Sequence, residues 1–280
     1  YQLSTVGYIR YDRENMPDNE TLISDLENMI KNYSIYVHHH LGLHSLTGVK
    51  EENSNEKAKF TFSPSETLKH IENFIKEQGF YFPPGMIENF FLSMKTKPFV
   101  VLAGVSGTGK TKLVQLFAEA VGAMEENGQF NLIPVRPDWN DPTDLLGYRD
   151  LSGVFKPGKL TQIFLEASQP ENQDKPYFVC LDEMNLARVE HYFSDLLSVM
   201  ETRRWEAGNI LTDAIIDYED IQDIYSQNPR LRRENITSAL GIPQNVYIFG
   251  TVNMDETTHP FSKKVLDRAQ TIEFNDIVLD

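Results

Sequence analysis

The sequence predicts an α/β fold: a three-layer sandwich around a mainly parallel sheet, preceded by a small, partly helical N-terminal segment. Three observations carry this. Apolar runs at 99–103, 130–135, 177–181, 245–252 and 270–274 are short enough for buried strands. Helical apolar spacing lies between them, most clearly behind the first run and at 186–200. The first run also leads straight into Gly104-Val105-Ser106-Gly107-Thr108-Gly109-Lys110-Thr111, which reads G-x-x-x-x-G-K-T. That is the phosphate-binding P-loop pattern, and strand, glycine-rich loop and helix are the context it needs.

Each residue type in that loop has a physical role. Gly104, Gly107 and Gly109 allow backbone angles that a Cβ penalises and let the chain approach a phosphate closely. The N–H groups from Gly104 through Lys112 would then face the anion, with the helix N-terminus behind them. Lys110 would reach the β- and γ-phosphates, and the Thr111 hydroxyl would ligate Mg²⁺. Leu113, Leu116, Phe117 and Ala120 follow at helical spacing, so the loop opens a helix.

Composition narrows the classes. A chain of 280 residues holds one large domain or two smaller ones, and its apolar content suits a globular protein. The net charge of −15 argues against a general nucleic-acid-binding surface, though not against contact through a local loop. The single cysteine, Cys180, falls in a buried strand, so no internal disulfide forms, which fits a reducing cytosol. No signal peptide and no membrane-spanning apolar run is present. The chain starts on Tyr1, which suggests a fragment or a processed form.

Residues 1–60 are read as a separate N-terminal segment and 61–280 as the core, with the charged stretch 50–59 as linker. Within the first, 21–30 has helical spacing. His38, His39, His40 and His44 are read as a polar loop or helix surface, because no acidic or cysteine partner completes a metal site. A helix over 65–79, capped at Ser65, is followed by an aromatic turn at 79–85. Tyr81 and Phe82 there could stack on a nucleotide base, but core packing is the preferred reading. Asp141 followed by Pro142 marks a helix start. The segment ending in Gly153-Val-Phe-Lys-Pro-Gly158 suits a hairpin or a pore-facing loop, and 160–167 suits a helix. Residues 205–216 suggest a hairpin. An acidic stretch follows at 217–223, and the arginines at 230, 232 and 233, which could touch DNA or a partner, are read as a solvated face.

Further candidate residues stand at strand ends. The run 177–181 ends in Asp182-Glu183. Asp182 would hold the hydration shell of Mg²⁺, and Glu183 would orient the attacking water or accept its proton, because metal and water lie side by side at a γ-phosphate. The run 245–252 ends in Asn253, a polar residue able to hold that water together with Glu183. A short helix over 261–268 ends in Arg268, a candidate arginine finger.

P-loop, Asp182-Glu183, Asn253 and Arg268 occur in the order used by AAA+ proteins, and residues 65–280 resemble that family. Leu181-Asp-Glu-Met-Asn-Leu-Ala-Arg188, Met200-Glu201 and Val246-Tyr-Ile-Phe-Gly-Thr-Val-Asn-Met-Asp255 are most similar to its McrB-like branch, the motors of modification-dependent restriction systems. The resemblance implies a ring, hexameric, with Arg268 completing a neighbour's site and Asn253 as the sensor-1 residue. It implies ATP or GTP with Mg²⁺, an McrC-like nuclease partner, and DNA as the target of the assembled complex. A MoxR-like ATPase that remodels protein complexes is the alternative. GTP-hydrolysing McrB proteins carry Met-Asn-Thr-Ala-Asp-Arg-Ser at the strand end, where this chain has Val252-Asn-Met-Asp-Glu-Thr-Thr258, so both nucleotides stay open. The helical lid that usually follows the last strand is missing from 61–280.

Overall fold

Five strands form one parallel sheet: β1 (Phe99–Gly104), β2 (Phe130–Pro134), β5 (Tyr177–Asp182), β8 (Val246–Asn253) and β9 (Gln270–Phe274), in the spatial order β2-β5-β8-β1-β9. They belong to a computed structural model that describes residues 64–97, 99–206, 209–227, 238–254 and 259–274. The segment and linker expected within residues 1–60, the histidine group, the boundary near residue 60 and the arginine cluster lie outside the described residues.

Alternate residues of each strand serve opposite layers, as the two-residue period of a strand requires. Phe99, Val101 and Ala103 join one core with Val179, Leu181, Ile248 and Val252. Val100 and Leu102 join the other with Phe178, Cys180, Tyr247 and Phe249. Because both faces are covered, the strands are apolar almost throughout, which is why they read as runs and not as alternations.

One covering layer is α1 (Pro64–Glu77), α2 (Met86–Thr96) and α3 (Lys110–Ala120). Ile71 and Ile75 of α1 are four residues apart and buried together. Phe90 of α2 stacks on Phe249 at 4.9 Å between ring centres. Burial in this layer pushes the Cys180 thiol well above its ordinary pKa, so it stays protonated and inert. The other layer holds α4 (Thr143–Leu146), α5 (Lys159–Ala167), α6 (Val189–Tyr192), α7 (Ser194–Glu201) and α8 (Tyr218–Gln227).

The single helix expected over 186–200 is broken. A 3₁₀ turn (Met184–Leu186) precedes α6, and Phe193 at φ −108° separates α6 from α7. Tyr192 and Phe193 are both fully buried. The break turns Tyr192 towards Trp139 and Phe193 towards Phe99. The acidic stretch lies mostly in a helix, α8. Ile221, Ile224 and Tyr225 of α8 are buried, while Asp220 and Asp223 bind Arg149. Arg149 ends β3 (Gly147–Arg149), which pairs with β4 (Phe155–Pro157) in the hairpin expected near 153–158. A second hairpin joins β6 (Arg204–Glu206) to β7 (Asn209–Leu211), within the region read as one. The helix expected over 261–268 is reduced to α9 (Lys263–Leu266), with Arg268 in the turn behind it.

Candidate nucleotide site

The site lies at the C-terminal edge of the parallel sheet, where such folds place ligands. β1 delivers the P-loop there. Gly109 stands at the N-terminus of α3 with φ 86°, in the left-handed region that favours glycine. Gly104 is required for a different reason: a Cβ there would lie 2.5 Å from the carbonyl oxygen of Phe274 on β9. Val105, Ser106 and Gly107 are exposed, and Thr108 ties the loop by donating to the Val105 carbonyl at 2.9 Å.

Lys110 is 5 % exposed. Its ammonium donates to the carbonyls of Gly104 (3.0 Å) and Val105 (2.6 Å). Burial lowers its pKa, and the carboxylates of Asp182 and Glu183 act in the opposite direction. A cation held over its own loop by weak neutral acceptors is poised to exchange them for phosphate oxygens, which are far stronger partners.

β5, next but one to β1 in the sheet, supplies the acids. Thr111 Oγ1 donates to Asp182 Oδ1 at 2.6 Å across 71 residues of sequence. Hydroxyl and carboxylate oxygens adjacent at a loop that cradles phosphate are the hard donors that Mg²⁺ prefers, so the residues fit that ion. Glu183 is exposed and has φ 51°. It is the one non-glycine residue with positive φ among the described residues, a conformation that costs about 1–2 kcal/mol. Its Oε1 accepts from Asn253 Nδ2 at 3.0 Å, so the end of β8 holds the end of β5.

Sequence reasoning missed two residues. Thr251 Oγ1 donates to Asp182 Oδ1 (2.8 Å) and accepts from the Glu183 backbone N–H (2.9 Å). Asn185 Nδ2 donates to the Asn253 carbonyl (2.8 Å), and the Asn185 carbonyl accepts from the His259 N–H (2.9 Å). Both lie in segments read for family likeness, but no local pattern gives either a role. Thr251 looks like one more β-branched residue in an apolar strand, and only the β5–β8 register brings it to Asp182.

Two expected residues stand outside this group. The Lys112 ammonium lies on the Phe80 ring (5.4 Å) and near Gln115 Oε1 (3.2 Å). Arg268 contacts the Leu197 carbonyl (3.1 Å), the Lys264 carbonyl and the Glu201 carboxylate. β9 pairs with β1 from Val100↔Gln270 to Gly104↔Phe274. Arg268 therefore precedes the opposite edge of the sheet, about 20 Å from the P-loop at the usual rise of a strand. The core packing preferred for Tyr81 is corrected as well: its side chain is 79 % exposed, because the turn at 79–85 leaves it outside both layers. Phe82 does pack, edge-on to Phe274 and against Gly109.

Among the described residues no cluster of three or more histidine, cysteine or acidic side chains could hold a metal. No described helix is long and apolar enough to cross a membrane.

The chain is 24 % identical over 203 residues to the type IV methyl-directed restriction enzyme EcoKMcrB subunit of Escherichia coli K12, covering 71 % of this chain and 39 % of that protein. The chain thus spans about two fifths of that relative's length. A crystal structure from Cytophaga hutchinsonii, classed provisionally as an ATPase, aligns over 77 % of this chain and 54 % of its own at 19 % identity and a TM-score of 0.38. The family described as the AAA domain of the dynein-related subfamily matches residues 99–269, from the first residue of β1 to the residue after Arg268. The chain therefore belongs to that family of AAA domains, P-loop nucleoside triphosphatases, and is similar over part of its length to an McrB subunit.

Proposed function

We propose that the chain is the nucleotide-driven motor subunit of an McrB-like restriction complex acting on DNA, hydrolysing ATP or GTP. One observation supports the hydrolytic part above all others: Thr111, Asp182, Glu183, Asn253 and Lys110 converge at one sheet edge from three separate strands. The restriction role rests on the likeness to the EcoKMcrB subunit.

In this reading Lys110 leaves the carbonyls of Gly104 and Val105 for the β- and γ-phosphates. P-loop N–H groups from Gly104 to Lys112 bind the remaining phosphate oxygens. Glu183, held by Asn253, aligns a water for in-line attack and takes its proton. The new bond joins the water oxygen to the γ-phosphorus. The bond that breaks leaves its electrons on the bridging oxygen of the nucleoside diphosphate. Mg²⁺, held by Thr111 directly and by Asp182 through its water shell, would neutralise charge on the β- and γ-oxygens. Arg268 would act on the next subunit's nucleotide, and so implies a ring of copies, hexameric by family likeness. An McrC-like nuclease would be the partner that cuts.

The test is binding and hydrolysis of ATP and GTP side by side with Mg²⁺, with Lys110→Ala as the blank. Turnover per subunit is expected to rise steeply with protein concentration, since isolated subunits lack the finger. A flat, high rate per subunit would sink the shared-site reading. GTP preference would align the chain with GTP-driven restriction motors, and ATP preference would assign base choice to the divergent segment at 254–258. One observation favours a second reading, the MoxR-like remodelling of protein complexes: a net charge of −15 is ill suited to DNA. DNA-stimulated hydrolysis separates the two.

In this reading Tyr81 would serve the base. The turn carrying it lies against the start of α3 through Phe82 and Gly109, and its ring is open to solvent. Tyr81→Ala is expected to weaken nucleotide binding about fivefold or more, as loss of one stacking contact does, with kcat unchanged. Titration with a fluorescent nucleotide checks it, and an unchanged Kd would remove Tyr81 from the site.

A further inference from the structure

We propose that Thr251 is the positioning residue of the hydrolytic site, setting the left-handed turn at Glu183 and the orientation of the Asp182 carboxylate through one hydroxyl. The proposal rests on the roles given above to Asp182 and Glu183.

Thr251 is 2 % exposed and sits two residues before Asn253 on β8, so both side chains leave the same face of that strand. Between them they hold Glu183 at two points. Asn253 holds the carboxylate (3.0 Å), and Thr251 holds the peptide N–H (2.9 Å). The proton of the threonine hydroxyl goes to Asp182 Oδ1 (2.8 Å), leaving a lone pair to receive the Glu183 N–H. The direction of every hydrogen bond at this oxygen is thereby fixed.

Two consequences follow. The peptide entering Glu183 is anchored, and an anchored peptide lets a non-glycine residue remain at φ 51°. The two threonines also meet on one oxygen, because Thr111 donates to the same Asp182 Oδ1. When Thr111 turns to a metal ion, Thr251 keeps that oxygen occupied and the carboxylate in its plane. A methyl group in place of the hydroxyl would leave the half-buried Glu183 N–H without this partner and leave Thr111 alone holding Asp182 Oδ1.

The experiment uses the full chain in two arms. In the nucleotide-free protein, Thr251→Val is expected to speed amide hydrogen exchange at Glu183 about tenfold or more, while 178–180 of β5 stay protected. In the hydrolysing assembly the same variant is expected to lower kcat about 10- to 100-fold with KM within about threefold, the scale at which lost orientation acts. Thr251→Ser is expected to restore both readouts, since it keeps the hydroxyl. If the valine variant fails to fold, Thr251→Cys against Thr251→Ser makes the same comparison with a weak donor and acceptor of similar size.

Unchanged exchange at Glu183, a valine or cysteine variant that turns over normally, or a serine variant as impaired as these would overturn the proposal. Glu183→Gln measured in parallel separates its failure from that of the underlying reading. A normal Glu183→Gln rate removes Glu183 from the chemistry. A dead Glu183→Gln beside a normal Thr251→Val removes only Thr251.

Discussion

Glu183→Gln is expected to lower the rate of nucleotide hydrolysis by about 10³-fold while leaving nucleotide affinity within a few fold, the scale of losing a general base. The substitution keeps length, shape and an oxygen that can still accept from Asn253 Nδ2, so the contact now measured at 3.0 Å survives. What is lost is the negative charge that aligns a water and takes its proton. Binding should persist because it rests on Lys110, on the P-loop N–H groups and on Thr111, none of which Glu183 touches. Loss of the Glu183 charge removes one of two influences that raise the Lys110 pKa, but burial remains the larger effect and the Asp182 charge stays. Single-turnover hydrolysis beside equilibrium binding checks this. A rate within threefold of the parent would take Glu183 out of the chemistry. A loss of binding equal to the loss of rate would recast it as a ligand-binding residue.

Arg268→Ala is expected to cost still more, about 10³- to 10⁵-fold in turnover, with nucleotide binding by single subunits preserved. The argument is geometric. Arg268 precedes β9 at one edge of the sheet, and Gly104 ends β1 at the other. No side chain spans that distance, so direct contact of Arg268 with a reacting phosphate would have to cross a subunit boundary. A head-to-tail ring provides such a boundary, since it joins two different edges of identical chains. Mixing gives the decisive measurement. Rings assembled from equal amounts of Arg268→Ala and Glu183→Gln chains should recover about a quarter of the parent rate, because one junction in four pairs an intact acid with an intact finger. Within the described subunit, Arg268 is held by the Glu201 carboxylate, which lowers the Glu201 pKa. Mixed rings as inactive as either parent variant would confine both residues to one chain.

What could be read from the sequence divides along a physical line. The P-loop was legible because phosphate chemistry dictates residue types at fixed local spacing, and Asp182-Glu183 because metal and water need adjacent acids. The strands were legible because burial on both faces makes them continuously apolar. The α8 helix was not: Ile221, Ile224 and Tyr225 carry a helical stripe, but Glu219, Asp220 and Asp223 among them made the stretch read only as acidic. The break at Phe193 was hidden because its cause, Trp139 and Phe99 drawing Tyr192 and Phe193 to different places, is a matter of tertiary packing. Thr251 was hidden for a related reason. A hydroxyl in an apolar strand gains meaning only from the strand beside it.

The place of β8 in the sheet has a consequence for how the chain reaches its native state. This strand comes fourth of the five in sequence but lies in the middle, hydrogen-bonded to β5 on one side and β1 on the other. Until residue 253 has left the ribosome, the β2–β5 pair and β1 have no common partner, and each presents open backbone groups. Insertion of β8 then joins the two halves and brings Thr251 and Asn253 to Asp182 and Glu183 in the same event. Pairings so distant in sequence are slow to form, because loop-closure entropy is lost before any contact repays it. Thr251 and Asn253, which hold Asp182 and Glu183, therefore lie on the strand whose insertion closes the sheet, so a nascent chain gains this geometry only when the sheet itself closes.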